Sequence, residues 1–322
     1  MRAAAALLTV PVLAVAAAGW AAPVTVAGTP ARAAADPVPV AAAGSGGVGP
    51  GAELLTEIGA DLASCTANFV FTDGTTVYLG SAAHCHAAGE SLDGCRDDPL
   101  PLGTPVVAVG ADGTELTTRL AYSSWAAMQE AGETDDELCE LNDLALLAVD
   151  PGDVAAVDPS VPVFGGPRGL DTDGLTAAEV VVSYQNAEDA PPYRTMRAKQ
   201  GVVVDAAVAA GRGWIVRTTT PGLPGDSGSG YLDGDGAAFG VLSTEIELED
   251  GSVVNGVTDL ARALDYAAAH GGPDVTLLEG GPFSTEGVPM DELPRDRVDP
   301  RVLLGRGLDV LRDLLGAAQR TA

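Results

Sequence analysis

The feature that most constrains this chain is a long succession of short Val/Leu-rich runs, each closed by Gly, Asp or Pro. Runs of this length suit strands and are too short for most helices. Strands are expected at Asn68 to Phe71, Thr76 to Leu79, Pro105 to Val109, Glu115 to Ala121 and Leu144 to Val149. A second series is expected at Glu179 to Tyr184, Gly201 to Val204, Trp214 to Thr218, Ala237 to Leu242 and Val253 to Val257. Turn pairs such as Asp73-Gly74, Asp112-Gly113 and Asp250-Gly251 separate them, because glycine accepts the backbone angles that tight turns require. Helical periodicity is scarce in the middle of the chain. Many short strands joined this way predict an all-β body, a barrel or a sandwich. The Pro-rich stretch from Asp150 to Pro167 divides the two series into similar halves. Asp259 can cap a closing helix that runs to about His270, since its carboxylate can accept from the free amides of the first turn.

The ends of the chain read differently. Arg2 followed by an apolar stretch, with Ala33-Ala34-Ala35 before Asp36, predicts an export signal over residues 1–35. Residues 36–52 are Ala/Gly/Pro-rich and are expected to be a linker or pro-segment. The body is expected over 53–271, with halves at about 53–155 and 156–271. Beyond it, residues 272–322 form a tail in which Leu304, Leu308, Leu311 and Leu315 recur at helical spacing. No later run approaches the roughly eighteen apolar residues of a membrane span. The formal net charge of -28, with Lys199 the sole lysine, excludes nucleic acid as a partner, since nothing neutralises phosphates. The four cysteines Cys65, Cys85, Cys95 and Cys139 in an exported chain predict two disulfides, and three connectivities are open.

Three segments can carry chemistry. A serine hydroxyl is a weak nucleophile that needs a base for its proton and fixed donors for the developing oxyanion. Ser227 lies in Pro221-Gly222-Leu223-Pro224-Gly225-Asp226-Ser227-Gly228-Ser229-Gly230, where flanking glycines permit a tight turn. Such a turn can aim the amides of Gly225 and Ser227 into one concavity. His84 follows an expected strand in Gly80-Ser81-Ala82-Ala83-His84-Cys85. Asp143 leads into an apolar strand in Asn142-Asp143-Leu144-Ala145-Leu146-Leu147, a costly place for a carboxylate unless it is partnered. His84 and His86 can share one face of an extended segment, but no further ligand stands at metal spacing, and no metal is expected.

Taken together, these segments resemble the chymotrypsin-like serine proteases, and the bacterial secreted type in particular. A-A-H-C, N-D-L-A-L-L and G-D-S-G occur in the family's order over roughly Glu53 to His270. The resemblance implies two six-stranded antiparallel barrels with a cleft between them, and a closing helix. It implies His84 as general base, Asp143 as its orienting carboxylate, Ser227 as nucleophile, and the Gly225 and Ser227 amides as the oxyanion hole. It pairs Cys65 with Cys85, leaving Cys95 with Cys139. The expected activity is hydrolysis of polypeptide substrates through an acyl-enzyme, by a secreted monomer without a cofactor. Gly240-Val241-Leu242-Ser243 matches the family's segment after the nucleophile, so Ser243 to Glu245 is expected to pair with an extended substrate, with Pro221 and Glu245 at the specificity pocket.

The chain also departs from the family. Pro221 stands where the trypsin branch carries an Asp, so cleavage after Lys or Arg has no support there. The zymogen-type N-terminal motif is missing, so Asp226 needs another partner, for which an Arg is expected. Two rival readings are an inactive binding member of the same fold and an α/β-hydrolase using Ser227, Asp259 and His270. The second requires G-x-S-x-G, whereas Ser229 occupies the last position.

Overall fold

The computed structural model describes residues 40–89, 91, 93–186, 196–208, 213–247 and 251–291. The expected export signal and the leucine-spaced segment near Leu304 lie outside these residues. Among the described residues, no helix is long and apolar enough to cross a membrane.

The first half supplies β1 (Glu53–Ile58), β2 (Asp61–Thr66), β3 (Val70–Thr72), β4 (Val77–Ser81), β5 (Pro105–Val109), β6 (Glu115–Ser123) and β7 (Ala145–Val149). The second supplies β8 (Val180–Tyr184), β9 (Ala198–Val208), β10 (Gly213–Thr218), β11 (Gly230–Leu232), β12 (Ala238–Glu247) and β13 (Val253–Asp259). A two-residue strand, β14 (Thr276–Leu277), follows the closing helix. β8 to β13 close into a six-stranded antiparallel barrel, as the resemblance implies. The first half differs from the implied six strands. It supplies seven strands of its own, and chain beyond Gly271 adds β14 against β3, giving an eight-stranded sheet in the order β14-β3-β4-β7-β6-β5-β1-β2.

Period-two patterning explains the strands. Along β6, Leu116, Thr118 and Leu120 are buried while Glu115, Thr117 and Arg119 face solvent. β4 is buried at all five positions, hemmed between β3 and β7. The barrel core packs Val181, Val203, Trp214, Val216, Tyr231 and Phe239, with Trp214 meeting Phe239 edge to face at 6.2 Å.

Two short helices interrupt the expected β-only middle. α1 (Ser124–Ala131) is capped by Ser123 and closed by Gly132 in a left-handed conformation, and α2 (Asp136–Leu141) is capped by Asp135. Helices this short need tertiary support. Trp125 and Met128 supply it by packing on Ala83 and Ala87, and the Cys95–Cys139 disulfide anchors α2. The closing helix α3 (Leu260–Ala269) forms as expected, with the Asp259 carboxylate accepting from the Arg262 amide at 3.0 Å.

The Ala/Gly/Pro-rich stretch is not a loose linker over its described part. Val48 is fully buried, its amide donates to Ala156 O at 2.9 Å, and its carbonyl accepts from Asp158 N at 3.0 Å. The Asp158 carboxylate in turn accepts from the amides of Gly44 and Gly46.

The halves meet where Phe69 lies against Gly230. A Cβ on Gly230 would stand 2.6 Å from the Phe69 ring, and Phe69 is fully buried. Gly230→Ala is therefore expected to destabilise the fold by about 1–3 kcal/mol, the usual cost of overpacking. A urea midpoint that matches wild type would refute this account of the contact.

Candidate active site

β4 carries the chain to a single 3₁₀ turn, His84–His86. Ala82 and Ala83 before it are completely buried, so their small size is what lets the turn seat against the sheet. The turn leaves His84 partly exposed, with 17% of its side chain accessible. The disulfide Cys65–Cys85 ties the turn to the end of β2, and Cys95–Cys139 is the other bridge. Both expected pairings are therefore present.

Asp143 enters the site just before β7 and is almost wholly buried. Its Oδ2 lies 2.6 Å from His84 Nδ1, and its Oδ1 accepts from the His84 amide at 2.9 Å. A third donor is the Ser243 hydroxyl, at 2.6 Å from Oδ2. Burial pushes the Asp143 carboxyl up, but the His84 charge and these hydrogen bonds outweigh it and hold it below the ordinary value. Burial pulls His84 down, and the charge and hydrogen bond of Asp143 more than offset this, so the imidazole lies above its ordinary 6.5. Ser124 sets the approach of Asp143. Its hydroxyl donates to Asn142 O at 2.6 Å and accepts from Leu144 N at 3.0 Å, gripping the peptides on both sides.

Ser227 sits on the loop between β10 and β11. Thr66, at the end of β2, donates its amide to Ser227 O at 2.8 Å and its hydroxyl to Gly225 O at 2.7 Å. Gly228 has φ +89, and a Cβ there would lie 2.4 Å from Thr66 O, so only glycine fits the approach. The loop thus rests directly on the segment disulfide-bonded to the His84 turn, and Cys85 Sγ lies 4.0 Å from Ser227 O. Within the loop, the amides of Asp226, Gly228 and Ser229 donate to backbone carbonyls. Among the described residues, the amides of Gly225 and Ser227 have no acceptor, and these are the two expected of an oxyanion hole. Nor does the Ser227 hydroxyl hydrogen-bond to His84 Nε2, whose described polar neighbour is Cys85 Sγ at 3.8 Å.

Among the described residues, the partner that Asp226 needs is supplied by Lys199. Nζ lies 3.1 Å from Oδ2 and both side chains are 1% exposed. The amides of Leu223 and Asn186 also donate to this carboxylate. Lysine can serve because its single charge needs only a point contact here, and a second donor hydrogen reaches Pro221 O at 3.3 Å.

The expected substrate contacts divide. Pro221 offers a carbonyl already engaged by Lys199. Ser243 lies at an irregularity of the β12–β13 pairing, and its hydroxyl is committed to Asp143. Glu245 is solvent-exposed at the rim. Sequence reasoning missed the roles of Ser243, Thr66 and Ser124, because each is set by a partner from a distant strand. The rival constellation does not assemble: Asp259 caps α3, while the exposed His270 stacks on Tyr266 with ring centroids 3.8 Å apart.

His86 is not a metal ligand in this arrangement. Its ring nitrogens face the hydroxyls of Thr56 at 3.0 Å and Ser81 at 3.1 Å in full burial. Burial, with the charge of His84, lowers it to about 3.

No family model and no curated protein matches the sequence. Among solved structures, the chain is similar to Thermobifida fusca protease A, at 16% identity and TM-score 0.43, covering 72% of this chain and 99% of that one. It is similar to Nocardiopsis protease at 14% identity and TM-score 0.39, covering 71% and 97%. It is also similar to a glutamic acid specific serine protease at 18% identity and TM-score 0.42, covering 71% and 99%.

The buried His86 gives a prediction about acid stability. Unfolding restores an ordinary histidine that binds a proton below pH 6.5, whereas the folded residue stays neutral down to about 3. Stability from this residue is thus complete above 6.5 and falls as pH drops towards 3, by up to about 1.4 kcal/mol per pH unit. His86→Asn is expected to flatten the loss between pH 6.5 and 4 in urea titrations. An unchanged slope would refute the assignment.

Proposed function

We propose that this chain is a serine endopeptidase that cleaves polypeptides outside the cell through an acyl-enzyme. In this reading His84, oriented by Asp143, takes the proton of Ser227 as the hydroxyl attacks the scissile carbonyl. The oxyanion forms against the amides of Gly225 and Ser227, and His84 returns the proton to the leaving amine. Water then repeats the cycle on the ester. The observation that carries the proposal is the 2.6 Å contact between His84 Nδ1 and the buried Asp143 carboxylate, beside a loop with two unspent amides. Asp143 holds the imidazole in the tautomer whose Nε2 can accept a proton. The two disulfides favour an oxidising compartment, which fits secretion.

The missing Ser227–His84 hydrogen bond favours one second reading, a binding protein on the same scaffold. A fluorophosphonate probe separates the two. Catalysis requires covalent labelling of Ser227 that is lost in Ser227→Ala and His84→Ala. Absence of labelling in folded wild-type protein would favour the binding reading.

Asp143→Asn is expected to lower kcat by about 10⁴-fold at similar KM, because the imidazole is left in the wrong tautomer. Since His84 must be neutral to act and its pKa lies above 6.5, activity is expected to rise with pH through a midpoint above that value. A pH–rate profile of kcat/KM checks this, and a midpoint below 6.5 would refute it.

A further inference from the structure

The chain beyond α3 does not end on the surface of the second barrel. β14 pairs with β3, and Leu278 N donates to Val70 O at 2.8 Å. The segment then crosses the connection between the halves. Gly280 N donates to Pro167 O, Gly281 N to the Ser160 hydroxyl and Ser284 N to Phe164 O. Phe283 packs on Gly236, where a Cβ would stand 2.4 Å from the ring. The described part finishes at Asp291, whose amide donates to Ala198 O at 3.0 Å and whose carbonyl accepts from Gln200 N at 2.9 Å. These bonds bracket Lys199 on both sides. The Asp291 carboxylate accepts from Met196 N at 3.2 Å and from the Thr220 hydroxyl at 3.4 Å.

Two chains of contact therefore run from Asp291 to the Ser227 loop. One passes through β9 to Lys199, which holds Asp226 and Pro221 O. The other passes through Thr220, next to Pro221 and buried at 5% exposure. Thr220 O also accepts from the Thr218 hydroxyl at 2.6 Å, and that hydroxyl accepts from Asn255 Nδ2 at 2.9 Å. Asn255 Oδ1 accepts from Gly222 N at 2.8 Å, so the start of the loop is fixed from this side as well.

We infer that residues 276–291 form a strap that belongs to the active unit, and that Asp291 is a positioning residue that sets the Gly225 and Ser227 amides through Lys199 and Thr220. The inference rests on the proposed function. Asp291 touches no reacting atom in that scheme. Removing its carboxylate leaves the backbone bonds to β9 in place but frees Met196 N, just before β9, and the Thr220 hydroxyl, just before Pro221, and a displaced oxyanion donor costs chemistry rather than binding.

The test uses the full chain and a biotinylated fluorophosphonate, with its binding constant and maximal labelling rate measured separately. In Asp291→Ala the labelling rate is expected to fall about tenfold or more, at a binding constant within about threefold of wild type. Asp291→Asn keeps an acceptor oxygen for Met196 N and Thr220 and is expected to recover most of the rate. Thr220→Val breaks the second path alone and should show a smaller loss of the same kind, which decides the matter if Asp291→Ala does not fold. Labelling rates equal to wild type in the folded variants would overturn the strap's role and leave the triad standing. A wild-type protein that does not label would remove the triad reading, and the strap's role with it.

Discussion

The arrangement depends on one buried carboxylate. Asp143 lies in the interior with a negative charge that water cannot reach, and it is tolerable only because His84 and Ser243 donate to it. Those donors come from different halves: His84 from the turn after β4, Ser243 from β12 of the barrel. Solvating this charge therefore requires the halves to dock in one relation. Leaving it with one partner removed would cost about 3–5 kcal/mol. The same bonds orient the imidazole, so the group that organises the interface is also the one that the proposed mechanism uses to hold His84.

A second buried charge organises the Ser227 loop. Lys199, the chain's sole lysine, is sealed against Asp226 beneath that loop. Such pairs add little net stability, since the desolvation of both ions offsets their attraction. Their effect is specificity of conformation: with Asp226 fixed by Lys199 and two amides, the glycines around it have few ways to turn. Thr66 fixes the loop from the other half by gripping the carbonyls of Gly225 and Ser227. The amides left without acceptors among the described residues are those of Gly225 and Ser227, the two that the proposed mechanism gives to the oxyanion.

Much of this was legible beforehand, for identifiable reasons. The strand at Pro105–Val109 and the helix after Asp259 lie where apolar spacing and a capping carboxylate put them. β1 and β2 went unread because Glu53, Glu57, Asp61 and Ser64 dilute their apolar pattern, and they are strands through pairing with each other and with β5. α1 and α2 have ordinary caps at Ser123 and Asp135, but bodies too short to reveal a period. The two residues of β14 carry no local signal; β3 makes them a strand.

The sequence by itself determined which side chains could do chemistry. An imidazole, a carboxylate and a serine in glycine-rich or small-residue settings are local facts, and so are turns, caps and the parity of cysteines. Only the tertiary structure decided their partners. That Lys199 meets Asp226, that Ser243 spends its hydroxyl on Asp143, and that Asp291 returns to β9 are consequences of long-range closure. A partner separated by many residues leaves no periodic trace in the chain, because what selects it is the cost of burying a polar group alone, and that cost exists only once the fold has excluded water.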